Sequence, residues 1–203
     1  MPRLIAYGCS HTFGQYLPSK DLAWPRVFGE DLKDTYRYYN FARPGCSNKY
    51  IWFNVLSRMD YRPSDLVVIM WTYEHRASII DNDNPNHPDH NITSLGAHIN
   101  TKQSKLYYKH IHNENDHGWD FWLRLDHISK TLPCTVIHTT CTKGPTIPKP
   151  NWVNADLHCP GLWEKMMEEY PKAEDGEHAG EEAHRWFGKQ FANYCKRKII
   201  EQE

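Results

Sequence analysis

The sequence predicts an α/β fold: a doubly wound, mainly parallel sheet with helices on both faces. Two observations predict it. Short apolar runs of strand length are continuous rather than alternating, the pattern of strands covered on both sides. Amphipathic helical patterns alternate with these runs along the chain. A chain of 203 residues suits one domain with a real core. No repeat or linker divides it, so residues 1–203 read as a single domain.

Leu4 to Tyr7 is the first strand pattern and Tyr38 to Phe41 a weaker second. Val67 to Trp71 is the third, bounded by Pro63-Ser64-Asp65, and Thr135 to Thr139 the fourth, entered through Leu132-Pro133. Trp24-Pro25 opens a helix, because proline suits a first turn, with Val27, Phe28 and Leu32 on one side. A second helix, Lys49 to Arg58, is capped by Ser47 or Asn48 and buries Ile51, Trp52, Val55 and Leu56. A third, Trp119 to Leu132, carries Trp122, Leu125 and Ile128 as a stripe. The last runs from about Ala179 to Ile200, with Ala183, Phe187, Phe191 and Tyr194 on one face. Residues 77–118, rich in Asn, Asp and His, are too long for an ordinary connection and read as a polar insertion near the functional face. Residues 142–162 are proline-rich and aperiodic.

Composition excludes several classes. Net charge is -1, from 24 basic and 25 acidic residues, and no basic stripe argues for nucleic acid. Lys196-Arg197-Lys198 reads as cations at a helix C-terminus. Mean hydropathy is -0.77 and no apolar run approaches the ~20 residues of a spanning helix. No leader pattern opens the chain, so a cytoplasmic location without membrane association is expected. The six cysteines form no C-x-x-C pair, which predicts a reduced chain and no zinc site among them. His110-x-His112 could place two imidazoles on one side of a strand, but no accompanying ligand spacing supports it, so neither metal nor cofactor is expected.

Ligands in open α/β sheets bind beyond the C-terminal ends of strands, and Gly8-Cys9-Ser10 stands at such an end. Glycine permits the tight turn, and Ser10 can then present its hydroxyl to the crevice with its amide free. A serine hydroxyl needs a base to become a nucleophile. Asp175 and His178 are three apart on the loop before the last helix. A turn there lets the carboxylate reach Nδ1, leaving Nε2 for Ser10, in the logic of a Ser-His-Asp triad. His184, inside the helix, is the competing imidazole and reads as packed. Gly45 and Asn48, after the second strand, could join the Ser10 amide in receiving an oxyanion.

Taken together, Gly8-Cys9-Ser10, Gly45 with Ser47-Asn48, and Asp175 to His178 resemble the SGNH, or GDSL-like, hydrolases. Trp24-Pro25 is similar to short members of that group, phage-encoded ones among them. The resemblance implies a three-layer α/β/α sandwich around about five parallel strands, and metal-free cleavage of acyl esters, often acetyl groups on sugars or lipids. It implies Ser10 as nucleophile, His178 as general base and then acid, and Asp175 as its orienter. The usual G-D-S reads G-C-S here. The usual G-x-N-D block becomes Trp71-Thr72-Tyr73-Glu74-His75-Arg76, without its Asn, so Thr72 or Asn48 would supply the missing donor. Arg76 could meet an anionic or hydroxyl-rich substrate. The reading is a serine esterase or deacetylase for a small acyl ester or acetylated carbohydrate. The alternatives are an SGNH-fold carbohydrate-binding or assembly module without catalysis, and a metal-dependent hydrolase using the insertion histidines.

Overall fold

The computed structural model describes residues 1–32, 36–58, 60–80, 92–96 and 100–200. Four parallel strands form the central sheet: β1 (Arg3–Tyr7), β2 (Arg37–Asn40), β3 (Leu66–Trp71) and β6 (Thr135–Thr140), in the order β2-β1-β3-β6. All six residues of β3 are buried, as its unbroken apolar run requires. Beyond β6 a parallel bridge joins His138 to Leu157, where a fifth strand would lie. The expected count of about five is therefore four strands and one bridge among the described residues. Thr142 to Leu157 passes there through three prolines that cannot donate to a ladder.

Helices cover both faces. On one lie α2 (Trp24–Asp31), α6 (Leu162–Glu169) and α7 (Glu181–Ile200), burying Leu4, Val68 and Met70 beneath Trp24, Phe28, Phe187 and Phe191. On the other lie α3 (Asn48–Leu56) and α5 (Glu114–Thr131), covering Ile5, Tyr7, Val67, Ile69 and Trp71. This is the α/β/α sandwich the sequence implied. Ser47 caps α3, its Oγ accepting the Tyr50 amide at 3.3 Å. The first amide of α2, from Trp24, is accepted instead by Nδ1 of His184 at 3.1 Å, a link between two packed helices. Their close approach leaves no room at Gly188, where a Cβ would stand 2.8 Å from the Trp24 carbonyl oxygen.

Several elements differ from expectation. The stretch 77–118 contains an antiparallel pair, β4 (Ala77–Ile80) with β5 (Ile92–Leu95), then α4 (Lys102–His110). His110 and His112 thus straddle a helix end rather than sharing a strand face. His87, His90 and His98 lie outside the described residues. Helix α5 begins at Glu114, five residues before Trp119, because Asn113 caps it and accepts the Asn115 and Asp116 amides. Trp119 is 48% exposed and belongs to no core. No described helix is long and apolar enough to cross a membrane.

Two core histidines are neutral by construction. Nδ1 of His138 accepts the Trp71 indole N–H at 3.2 Å, which places its proton on Nε2, 2.7 Å from Ser129 Oγ. Burial pushes His138 and His184 down to about 3 from an ordinary value near 6.5. Between those values the unfolded chain binds protons that the native chain refuses. Stability is therefore full above pH ~6.5 and falls as pH drops toward ~3, by about 1.4 kcal/mol per pH unit for each imidazole. Thermal melts from pH ~7 to ~4.5 should show a falling Tm. His184→Gln, which keeps an acceptor for the Trp24 amide, should make that fall measurably shallower.

Candidate functional site

The C-terminal ends of β1 and β3 and the loops after β2 and before α7 meet on one rim. β1 ends at Tyr7, and the chain turns through Gly8 and Cys9 into a single turn of helix, α1 (Ser10–Phe13). Ser10 opens that turn, 4% exposed. As the first helical residue its amide has no acceptor within the helix, and among the described residues neither that amide nor the hydroxyl has a hydrogen-bond partner. The loop after β2 runs alongside: the Gly8 carbonyl oxygen accepts the Arg43 amide at 3.0 Å and the Cys46 thiol at 3.3 Å. Gly45, held between them, has φ +72°, a left-handed conformation that favours glycine, and nothing lies within 4 Å of where a Cβ would point. The Gly45 amide also makes no hydrogen bond among the described residues.

Asn48 is committed elsewhere. Its Oδ1 accepts the Thr72 amide at 2.8 Å and its Nδ2 donates to the Thr72 carbonyl at 3.1 Å, pinning the start of α3 to the end of β3. Thr72 is buried, and its hydroxyl accepts from Arg76 Nη1 at 3.2 Å. The Arg76 guanidinium lies over Tyr73, 4.8 Å from the ring centre. Glu74 does not pair with Arg76; its carboxylate accepts the Thr146 amide at 3.0 Å and the Thr146 hydroxyl.

The loop before α7 forms the turn that the Asp175–His178 spacing requires. The Lys172–Ala179 bridge closes it, and Gly176 takes φ +69° at its tip. Asp175 Oδ1 accepts the Glu177 and His178 amides at 3.1 and 3.0 Å, and Oδ2 lies 2.5 Å from His178 Nδ1. Partial burial pushes the Asp175 carboxyl up. The hydrogen bonds from the His178 amide, the His178 ring and the Glu177 amide outweigh it and bring the group down to about 2. With the carboxylate ionised, Nδ1 carries its hydrogen and Nε2 of the neutral ring is free to accept. Both side chains keep 18% exposure, so the ring can meet a molecule from solvent.

The two ends of the chain meet here. His11, next to Ser10, lies with its ring centre 5.5 Å from that of His178, and Tyr16 contacts the same ring at 5.2 Å from φ 66°. Sequence reading passed over His11, Tyr16 and Tyr73. Each is an ordinary aromatic by composition, and only the fold places them around His178. Burial, opposed by the Cys9 sulfur and assisted by His178, holds His11 below its ordinary value. Tyr73, whose ring stands 6.3 Å from His11, also lines a cavity of about 220 Å³ with Glu74, His112, His117 and Thr142. That cavity opens beyond the ends of β3 and β6, where α/β sheets hold ligands.

No protein-family model and no curated protein matches the sequence. Solved structures do. One is matched over 98% of this chain and 99% of its own, with TM-score 0.53 and 12% identity. A putative arylesterase from Agrobacterium tumefaciens is matched over 97% and 99%, with TM-score 0.48 and 13% identity. A member of the lipolytic G-D-S-L family from Veillonella parvula is matched over 68% of this chain, with TM-score 0.42 and 12% identity; the chain spans only 58% of that protein's length. Likeness at such identity is a likeness of fold. The first of these, matched over nearly the whole of both chains, shares the overall fold of this protein.

The Asn48 bridge can be tested apart from any activity. Asn48→Ala leaves the buried Thr72 amide and carbonyl unpaired and should cost about 2 kcal/mol in urea unfolding. Asn48→Asp, which keeps one acceptor but sets a carboxylate against the Thr72 carbonyl, should cost more.

Proposed function

We propose that the protein is a serine hydrolase that cleaves small acyl esters, acetyl esters of carbohydrates foremost. The carrying observation is the Asp175–His178 hydrogen bond on a loop whose imidazole packs against the residue next to Ser10. In this reading His178 Nε2 takes the Ser10 proton as Oγ attacks the ester carbonyl. Collapse of the tetrahedral species expels the alcohol, which receives that proton. Water, deprotonated by the same imidazole, then releases the acyl group. Asp175 fixes the tautomer and stabilises the imidazolium. The unpaired Ser10 and Gly45 amides would receive the oxyanion. Asn48, occupied by Thr72, would support that pocket by holding the β3 end, and Thr72 and Arg76 would line it.

The cavity of about 220 Å³ beside Tyr73, with Glu74, His112, His117 and Thr142 in its wall but none of Ser10, Gly45 and His178, favours a small substrate with a hydrophilic portion. The lack of an Asn in Trp71–Arg76 favours a second reading, a sandwich that binds acetylated carbohydrate without turnover. A fluorophosphonate probe separates them. The hydrolase reading expects stoichiometric labelling at Ser10, abolished by Ser10→Ala, and turnover of short-chain esters reduced roughly 10³–10⁴-fold in Asp175→Asn. A folded protein that neither labels nor hydrolyses acetyl esters leaves the binding module.

A further inference from the structure

Beside the acid–base pair, the fold gathers three side chains whose spacing gives no hint of a site. Cys9 follows β1, His11 stands in the next turn, and Cys141 follows β6. β1 and β6 flank β3, and Thr72 continues β3 between them, so neighbouring strand ends deliver all three to one point. One ligand atom from each, two sulfurs and a ring nitrogen, lie within 4.8 Å of one another. The residues are 0%, 6% and 1% exposed. Nδ1 of His11 is enclosed and has no hydrogen-bond partner, a state a native core rarely tolerates without an occupant.

The Arg76 guanidinium lies at the same strand ends, its Nη1 donating to the Thr72 hydroxyl at 3.2 Å. Cys46 lies close by but is not part of the set: its thiol donates to the Gly8 carbonyl, and burial with the Cys9 charge holds it up.

We propose that Cys9, Cys141 and His11 form a binding site for one soft monovalent cation, Cu⁺, held by two thiolates and an imidazole nitrogen. Thiolate and imidazole are ligands for Cu⁺ and for Zn²⁺ alike. Charge decides between them. Two thiolates carry two negative charges, and the Arg76 guanidinium, on Thr72 between the same strand ends, supplies one positive charge. A monovalent ion makes the buried cluster neutral, whereas a divalent ion leaves an uncompensated charge in the core. Zinc also asks for a fourth ligand, and the Thr72 hydroxyl is engaged by Arg76. Binding displaces both thiol protons to solvent. Copper enters and remains as Cu⁺, so no electron moves.

The test uses the full chain with the half-buried Cys134 and Cys159 replaced by serine, to remove adventitious thiols. Cu⁺ is supplied anaerobically from a bicinchoninate buffer, and Zn²⁺ in a parallel titration. The expected result is one copper per chain by native mass spectrometry, a raised Tm, and little zinc uptake. Cys9→Ser and Cys141→Ser should each abolish uptake, His11→Gln should weaken it, and Cys195→Ser should leave it unchanged. No copper uptake by the parent chain overturns the proposal. So does uptake equal in His11→Gln and the parent, or zinc bound in preference to copper. The parent and His11→Gln decide the matter even if the serine variants do not fold.

Discussion

The rim depends on a turn with no space for a side chain at residue 8. A Cβ there would stand 2.1 Å from Thr12 Oγ1 and 3.0 Å from the Met70 carbonyl oxygen. β1 can therefore enter α1 directly, beneath the end of β3, only as glycine. The same residue's carbonyl receives the Arg43 amide and the Cys46 thiol. One backbone position thus starts α1 at Ser10 and ties the loop that carries Gly45 to the same turn. Any larger residue would lift α1 off the sheet and part the two free amides.

The other half of the rim is placed from the far end of the chain. Helix α7 lies against α2 across Gly188, and His184 accepts the first amide of α2. Trp163 of α6 fills the space between, its ring 5.2 Å from both His11 and His184. Packing on that face therefore fixes where the loop before α7 emerges, and the Asp175 turn fixes how His178 leaves it. The three imidazoles of this rim have different surroundings. His184 and His11 are buried, which disfavours their charged forms, while His178 alone has a carboxylate at Nδ1.

Much of this was legible because it is local. Unbroken apolar runs can only be strands covered on both sides, proline after Trp24 marks a first turn, and an Asp three residues before a His closes its own turn. His184 was readable as a packed residue because its helical face is the apolar one. The contents of 77–118 were hidden, since β4 and β5 are short and the polar residues between them mask the period. The single bridge at Leu157 in place of a strand follows from prolines whose effect depends on where the chain runs. The Asn48–Thr72 link spans 24 positions, and Cys141 meets Cys9 and His11 from 132 and 130 positions away. No periodicity reports such contacts; they follow from the strand order β1-β3-β6.

That order has an electrostatic consequence. Arg76 brings a positive charge to the sulfur side of the rim, and Asp175 brings a negative one to the imidazole side. His11 stands between, touching the His178 ring on one side and offering a ligand atom to the sulfurs on the other. While that ring stays neutral, the two charged groups are buffered from each other by an aromatic layer that carries no charge of its own. Protonating His11 would set a cation beside both Arg76 and His178, and burial makes that costly. This one buried ring is therefore the contact between the Cys9 and Cys141 sulfurs after β1 and β6 and the Asp175–His178 pair on the loop before α7, so a change on either side is felt on the other through it.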